Sequence, residues 1–204
     1  TLGGTNNYGV IYEFDPLTSV YSKKVDFDGA SKGKNPVGAL FQHSNGDMFG
    51  MTRDGGINDY GVLFKYDPIS NIFIKILDFD YTTNGGWPEG SLMEASNQKL
   101  YGLTSRGGIN GHGIIFEYDV SLSTFTLKTS FEINLTGYRP LGSLIEYTDG
   151  KLYGMTATGG QSSYGGGTIF EYDVNTNTLT KKYQFSSSYN RFSGYGPKGD
   201  LLEH

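Results

Sequence analysis

The sequence predicts an all-β chain built as a β-propeller of four-stranded antiparallel blades, and three observations carry that expectation. A Gly-Gly pair recurs at Gly3-Gly4, Gly55-Gly56, Gly107-Gly108 and Gly159-Gly160, each pair starting 52 residues after the one before. A fixed period of that size marks a repeat architecture. Inside each unit the apolar residues alternate with a period of two, which suits strands, and no stretch carries helical periodicity or a capping box. A lone four-stranded meander cannot bury both of its faces. Neighbours of the same kind packed face to face around an axis can.

The third full unit justifies each element in turn. Strand A is expected over 143–147, strand B over 151–156, strand C over 168–173 and strand D over 178–185. The A–B connections Asn45-Gly46 and Asp149-Gly150 read as two-residue hairpin turns with both positions at positive φ. The C–D connections open on Asp15, Asp67, Asp119 and Asp173, whose carboxylates can accept from backbone N–H groups ahead of them and hold the turn. The paired glycines after strand B permit positive φ or close backbone approach where B turns toward C. A Pro-x-Gly-x-Leu motif stands at 36–40, 88–92, 140–144 and 197–201, and the recurring Tyr, Phe, Leu and Ile positions are the expected interblade core.

Composition narrows the function classes. The 204 residues carry a formal charge of −5, with 18% charged and 15% aromatic residues and no Cys. That balance disfavours disorder and a basic nucleic-acid surface, and the missing thiols remove disulfides, zinc–thiolate centres and Cys nucleophiles. No run approaches the roughly eighteen apolar residues of a membrane span. Glycine, at 31 residues, is roughly twice its usual share. Residues 1–201 read as one repeat domain with units starting at 3, 55, 107 and 159, and 202–204 as a purification-tag remnant. The chain opens at the tail of a B strand and closes inside an A strand, so about four blades are expected here. The ring would be completed by missing upstream blades or by a second copy in a homo-oligomer.

The motif Leu-Tyr-Gly-Met-Thr at 152–156, followed by Gly159-Gly160, then Gly167-Thr-Ile-Phe at 167–170 and Pro-x-Gly-x-Leu, resembles the Gloeo-Verruco, or GloVer, extracellular tandem repeat of bacterial surface proteins. More distantly it is similar to the kelch repeat, without the Trp usual in that motif. The resemblance runs along nearly the whole chain. It implies a secreted or surface-anchored propeller and brings no established catalytic residues.

In a propeller the D→A and B→C loops share one face. Residues common to every copy are explained by the fold, so candidates for function are those that differ at equivalent positions. Trp87, Tyr138, Arg139, Arg53, Asp54, Asp59, Arg106 and His112 pass that filter on the loop face, together with Asn58, Tyr189, Arg191 and Tyr195. Trp87, the one Trp, suits a sugar-stacking platform or a cap on the interblade core. The three arginines can clamp an acidic ligand, because the guanidinium fork matches a carboxylate. His112 occupies a slot that is Tyr in the sister copies. Asp26-x-Asp28 and Asp78-x-Asp80 lack the oxygen density of a calcium site and read as solvated edges. No cofactor, metal or nucleic-acid partner is expected. Two functions remain: a non-catalytic surface domain binding glycan or protein or serving as a scaffold, and a carbohydrate-active hydrolase or lyase with carboxylates from different blades.

Overall fold

The computed structural model describes residues 3–161, 165–186 and 195–202. Fourteen strands and no helix are found among them. Blade I is a two-stranded sheet of β1 (Val10–Asp15) and β2 (Val20–Asp26). Blade II runs β3 (Phe41–Gln42), β4 (Met48–Thr52), β5 (Val62–Asp67) and β6 (Ile72–Asp78). Blade III runs β7 (Met93–Glu94), β8 (Leu100–Thr104), β9 (Ile114–Asp119) and β10 (Thr124–Ser130). Blade IV runs β11 (Ile145–Glu146), β12 (Leu152–Thr156), β13 (Thr168–Asp173) and β14 (Thr178–Gln184). Each full blade is an antiparallel meander in sequence order, as the period-two pattern requires.

The register repeats from blade to blade. Gly50, Gly102 and Gly154, mid-strand in β4, β8 and β12, face Phe64, Phe116 and Phe170. A Cβ on Gly102 would sit 2.4 Å from the Phe116 ring, so glycine is what lets that ring cross its partner strand. Every C–D pair carries one bulge, which leaves Lys24, Ile76, Lys128 or Lys182 unpaired on strand D. The bulged lysines reach Glu13, Glu117 and Glu171 on strand C. In blade II strand C has Lys65 instead, and there the bulge residue is the uncharged Ile76.

Packing lies between blades. Ile11, Val25 and Phe27 meet Val62, Phe64 and Tyr66, and Phe49, Met51, Leu63 and Phe79 meet Leu100, Ile114 and Phe116. Tyr101, Leu103, Ile115 and Phe131 meet Leu152, Phe170 and Tyr172. Each fully buried aromatic contributes about 1.5–3 kcal/mol. Hydrogen bonds one repeat apart lock the same joints: Ala39 N–H to Ser91 Oγ at 2.8 Å, Ser91 N–H to Ser143 Oγ at 3.0 Å, and the Ser44 and Ser96 hydroxyls to Glu94 and Glu146. Among the described residues blade I carries only its C and D strands, and its equivalents of buried positions face solvent. Tyr12 is 59% and Phe14 54% exposed, against 1% and 3% for Phe64 and Tyr66.

Two expectations are corrected. The A–B turns are three-residue loops, with His43 N–H bonding the Asp47 carbonyl, Ala95 that of Lys99 and Tyr147 that of Lys151. Positive φ falls only on the last loop residue, Gly46, Gln98 or Gly150, so Asn45 and Asp149 lie in the type I turn that precedes it. Among the described residues no strand is found at 200–202, where an A strand is expected. Asp200 instead accepts a hydrogen bond from Ser143 N–H. The Asp turns are as expected: Asp15 accepts from Leu17 N–H at 2.8 Å, and Asp67 and Asp173 repeat the contact.

Candidate functional site

The D→A loop entering each blade lies against the B→C loop of that blade, through the bridges Lys34 to Asp54, Gly86 to Arg106 and Tyr138 to Thr158. One residue per repeat ties three loops together. Asn35, Trp87 and Arg139 stand 52 residues apart with φ of +56°, +53° and +57°. Their N–H groups donate to the carbonyls of Tyr8, Tyr60 and His112 in the preceding blade, at 2.9, 2.8 and 3.2 Å. Their carbonyls accept from the N–H groups of Arg53, Ser105 and Ala157 in the following blade, at 3.0, 3.1 and 3.0 Å. These bonds use the residue's own peptide group, so they form whatever side chain stands at this position, and the side chain does differ.

Two successive joints frame a recess of about 180 Å³ lined by Arg53, Trp87, Glu89, Ser105, Arg106 and Arg139. Four of the eight sequence-selected residues therefore meet in one place. Arg53 lies with Nε 3.5 Å from Glu89 and Nη1 3.5 Å from Asp54. Ser105 Oγ donates to the Trp87 carbonyl at 2.8 Å and lies 3.3 Å from Glu89 Oε1. Arg106 stacks on Tyr138, its Cζ 5.6 Å from the ring centroid. Among the described residues, neither Arg106 nor Arg139 has a salt-bridge partner, although both are half-buried. Three guanidinium groups against one carboxylate leave the recess at +2 on a chain of net −5.

Trp87 is anchored edge-on against Tyr60 and Tyr81, with centroids 5.1 and 5.8 Å away. It is half-buried in this cluster and walls the recess rather than standing out as a free platform.

The other candidates lie elsewhere. Asp54 accepts from Asn35 Nδ2 at 2.8 Å, and Asp59 pairs with Lys34 at 2.8 Å, which holds its carboxyl below the usual range. His112 packs on Tyr138 at 5.5 Å and lines a second recess of about 250 Å³ with Asn110, Glu132, Ile133 and Asn134. Its Nδ1 is buried and has no hydrogen-bond partner among the described residues. Asn58 is structural, donating to the Phe79 carbonyl at 3.1 Å. Tyr195 is exposed, while Tyr189 and Arg191 lie outside the described residues. The acidic pairs are not free edge charges: Asp26 accepts from Thr5 and Lys23, and Asp28 and Asp80 accept from Ser31 and Thr83 within their own loops. For Asp28 and Asp80, burial pushes the carboxyl up, but these hydroxyl and N–H donors outweigh it and hold both low.

Sequence reasoning missed Glu89 and Ser105. Glu89 sits inside the Pro-x-Gly-x-Leu motif, which belongs to the fold, but its equivalents are Val37, Leu141 and Lys198. Ser105 has Arg53 and Ala157 as equivalents, so the same variation filter applied within the motifs would have found both. Among the described residues no group of three or more His, Asp or Glu is placed to hold a metal ion, and no helix is long and apolar enough to cross a membrane.

The Gloeobacter/Verrucomicrobia repeat matches the sequence over residues 1–204. The chain belongs to this family. The crystal structure of TolB from Acinetobacter baumannii is similar with a TM-score of 0.55 and 16% identity, over 87% of this chain and 38% of that one. The Gloeobacter/Verrucomicrobia repeat chain thus spans well under half of that protein's length, and at this identity the likeness speaks for the fold alone, which is β-propeller-like. No curated protein matches the sequence.

Proposed function

We propose that this domain is a non-catalytic, cell-surface β-propeller that binds a glycan on its loop face. The observation that carries the reading is the convergence of Arg53, Trp87, Arg106 and Arg139, each different from its repeat equivalents, on one recess between blades. At the Trp87 and Arg139 positions the inter-blade bonds are made by the peptide group, so those bonds do not dictate the side chain. Binding is favoured over glycoside hydrolysis because Asp28, Asp59 and Asp80 are held low and tied into loops, whereas a general acid needs a raised carboxyl. The surface location rests on the family resemblance, as does kinship with kelch repeats. The exposed Tyr12 and Phe14 support an arc of about four blades completed to a larger ring by further repeats or a second copy. A glycan array read beside Trp87 emission tests the reading. Binding of a sugar that shifts the emission is expected, and an array with no bound glycan would overturn it.

A further inference from the structure

We infer that the sugar taken by this recess carries a carboxylate, as in a uronic acid residue, held between Arg106 and Arg139. The inference rests on the glycan-binding reading above and names its ligand class.

The charges in the recess are unequal in what they have left to give. Arg53 is committed to Glu89 and Asp54. Arg106 and Arg139 have no carboxylate of their own among the described residues, and they come from different loops, the B→C loop of blade III and the D→A loop leading into blade IV. Partial burial strips some water from both cations, and two unneutralised guanidinium groups lining one recess call for an anion. Tyr138 lies against Arg106, Cζ to ring centroid 5.6 Å, and no carboxylate takes the Arg106 N–H donors among the described residues. An edge-on guanidinium presents two parallel donors, the spacing of a planar carboxylate.

The rest of the lining distinguishes among anions. Glu89 keeps one negative charge inside the recess, 3.3 Å from Ser105 Oγ. A dianionic phosphate would meet more repulsion there than a monoanionic carboxylate. Trp87 supplies an apolar wall for the C–H face of a pyranose, which a small inorganic anion cannot use. A recess of about 180 Å³ accepts a single sugar residue at the end or in the turn of a chain rather than a length of extended peptide.

The test is calorimetry on the intact chain with four probes: a galacturonate trisaccharide, its methyl ester, a sulfated trisaccharide and an acidic peptide. The galacturonate is expected to bind and quench or shift Trp87 emission, with the methyl ester at least tenfold weaker because it keeps the sugar and loses the charge. Arg106→Gln and Arg139→Gln should each abolish the preference for acid over ester. Equal binding of acid and ester would overturn the carboxylate inference while leaving glycan binding intact. Tighter binding of the sulfated sugar would overturn it too. Binding of an acidic peptide with none of the three sugars would overturn both readings. The acid-to-ester comparison uses the unaltered protein, so the inference stays falsifiable even where an arginine variant fails to fold.

Discussion

Arg106 of blade III lies over Tyr138 of the following loop, Cζ to ring centroid 5.6 Å, so the arginine rests on a side chain that itself takes no part in the recess. Such a cation–π contact is worth about 0.5–1 kcal/mol at a partly exposed site. Tyr138→Ala should weaken binding of an acidic trisaccharide by roughly two- to fivefold, and Tyr138→Phe should retain it. Calorimetry on the two variants checks this, and equal losses would show that the ring is not what positions Arg106.

Gln98 closes the β7–β8 turn at φ +63°, where the sister blades have Gly46 and Gly150. Left-handed backbone costs a non-glycine residue about 1–2 kcal/mol, partly offset by the extra entropy glycine loses on folding. Gln98→Gly is therefore expected to stabilise the chain by about 0.5–1 kcal/mol, raising Tm by about 1–4 °C in differential scanning calorimetry. An unchanged or lower Tm would contradict the turn geometry.

Gly102→Ala should act in the opposite direction. The new methyl group would meet Phe116, which is fully buried and packed against Phe79 and Phe125, so the ring has nowhere cheap to go. Overpacking of this kind costs about 1–3 kcal/mol. Urea denaturation of the variant gives the value directly.

Glu171 accepts from Lys151 at 2.9 Å, from the Tyr153 hydroxyl at 2.7 Å and pairs with Lys182 at 3.0 Å, and these contacts lower its carboxyl from 4.5 to about 2. A folded pKa below the unfolded one adds stability that is complete above 4.5 and disappears as pH falls toward 2. Tm should hold steady near neutrality and fall through that acid window. In Glu171→Gln the fall should be shallower, as followed by circular dichroism across a pH series.

Arg139→Gly separates the two duties of its position. Glycine accepts φ +57° without strain, so stability should stay within about 1 kcal/mol of the parent or rise, while binding of the acidic sugar is lost. Loss of both together would place the side chain in the fold.

The repeat and its strands were legible because 52-residue spacing exposes the same alternation four times over, and an error in one copy is corrected by the others. The A–B turns were misread because Asn-Gly and Asp-Gly suggest a two-residue loop. The third copy, Asn97-Gln98, has no glycine and shows that only the last position is left-handed. For the site, the loop face and four lining residues followed from the variation between copies. Glu89 and Ser105 did not, since whether a side chain inside a structural motif points into an interblade recess depends on packing that spacing alone does not express. The quiet role of Asp28 and Asp80 was likewise hidden, because a carboxylate tied to its own turn looks the same in sequence as a free one.

The peptide groups of Asn35, Trp87 and Arg139 bridge neighbouring blades whatever side chain each residue carries, which leaves such a protein room to change. Substitution at any of the three changes the side chain presented there while keeping these peptide hydrogen bonds, provided the new residue tolerates a left-handed backbone. Each joint is thus an independently replaceable address, and an array of repeats can carry as many different addresses as it has joints while keeping one architecture.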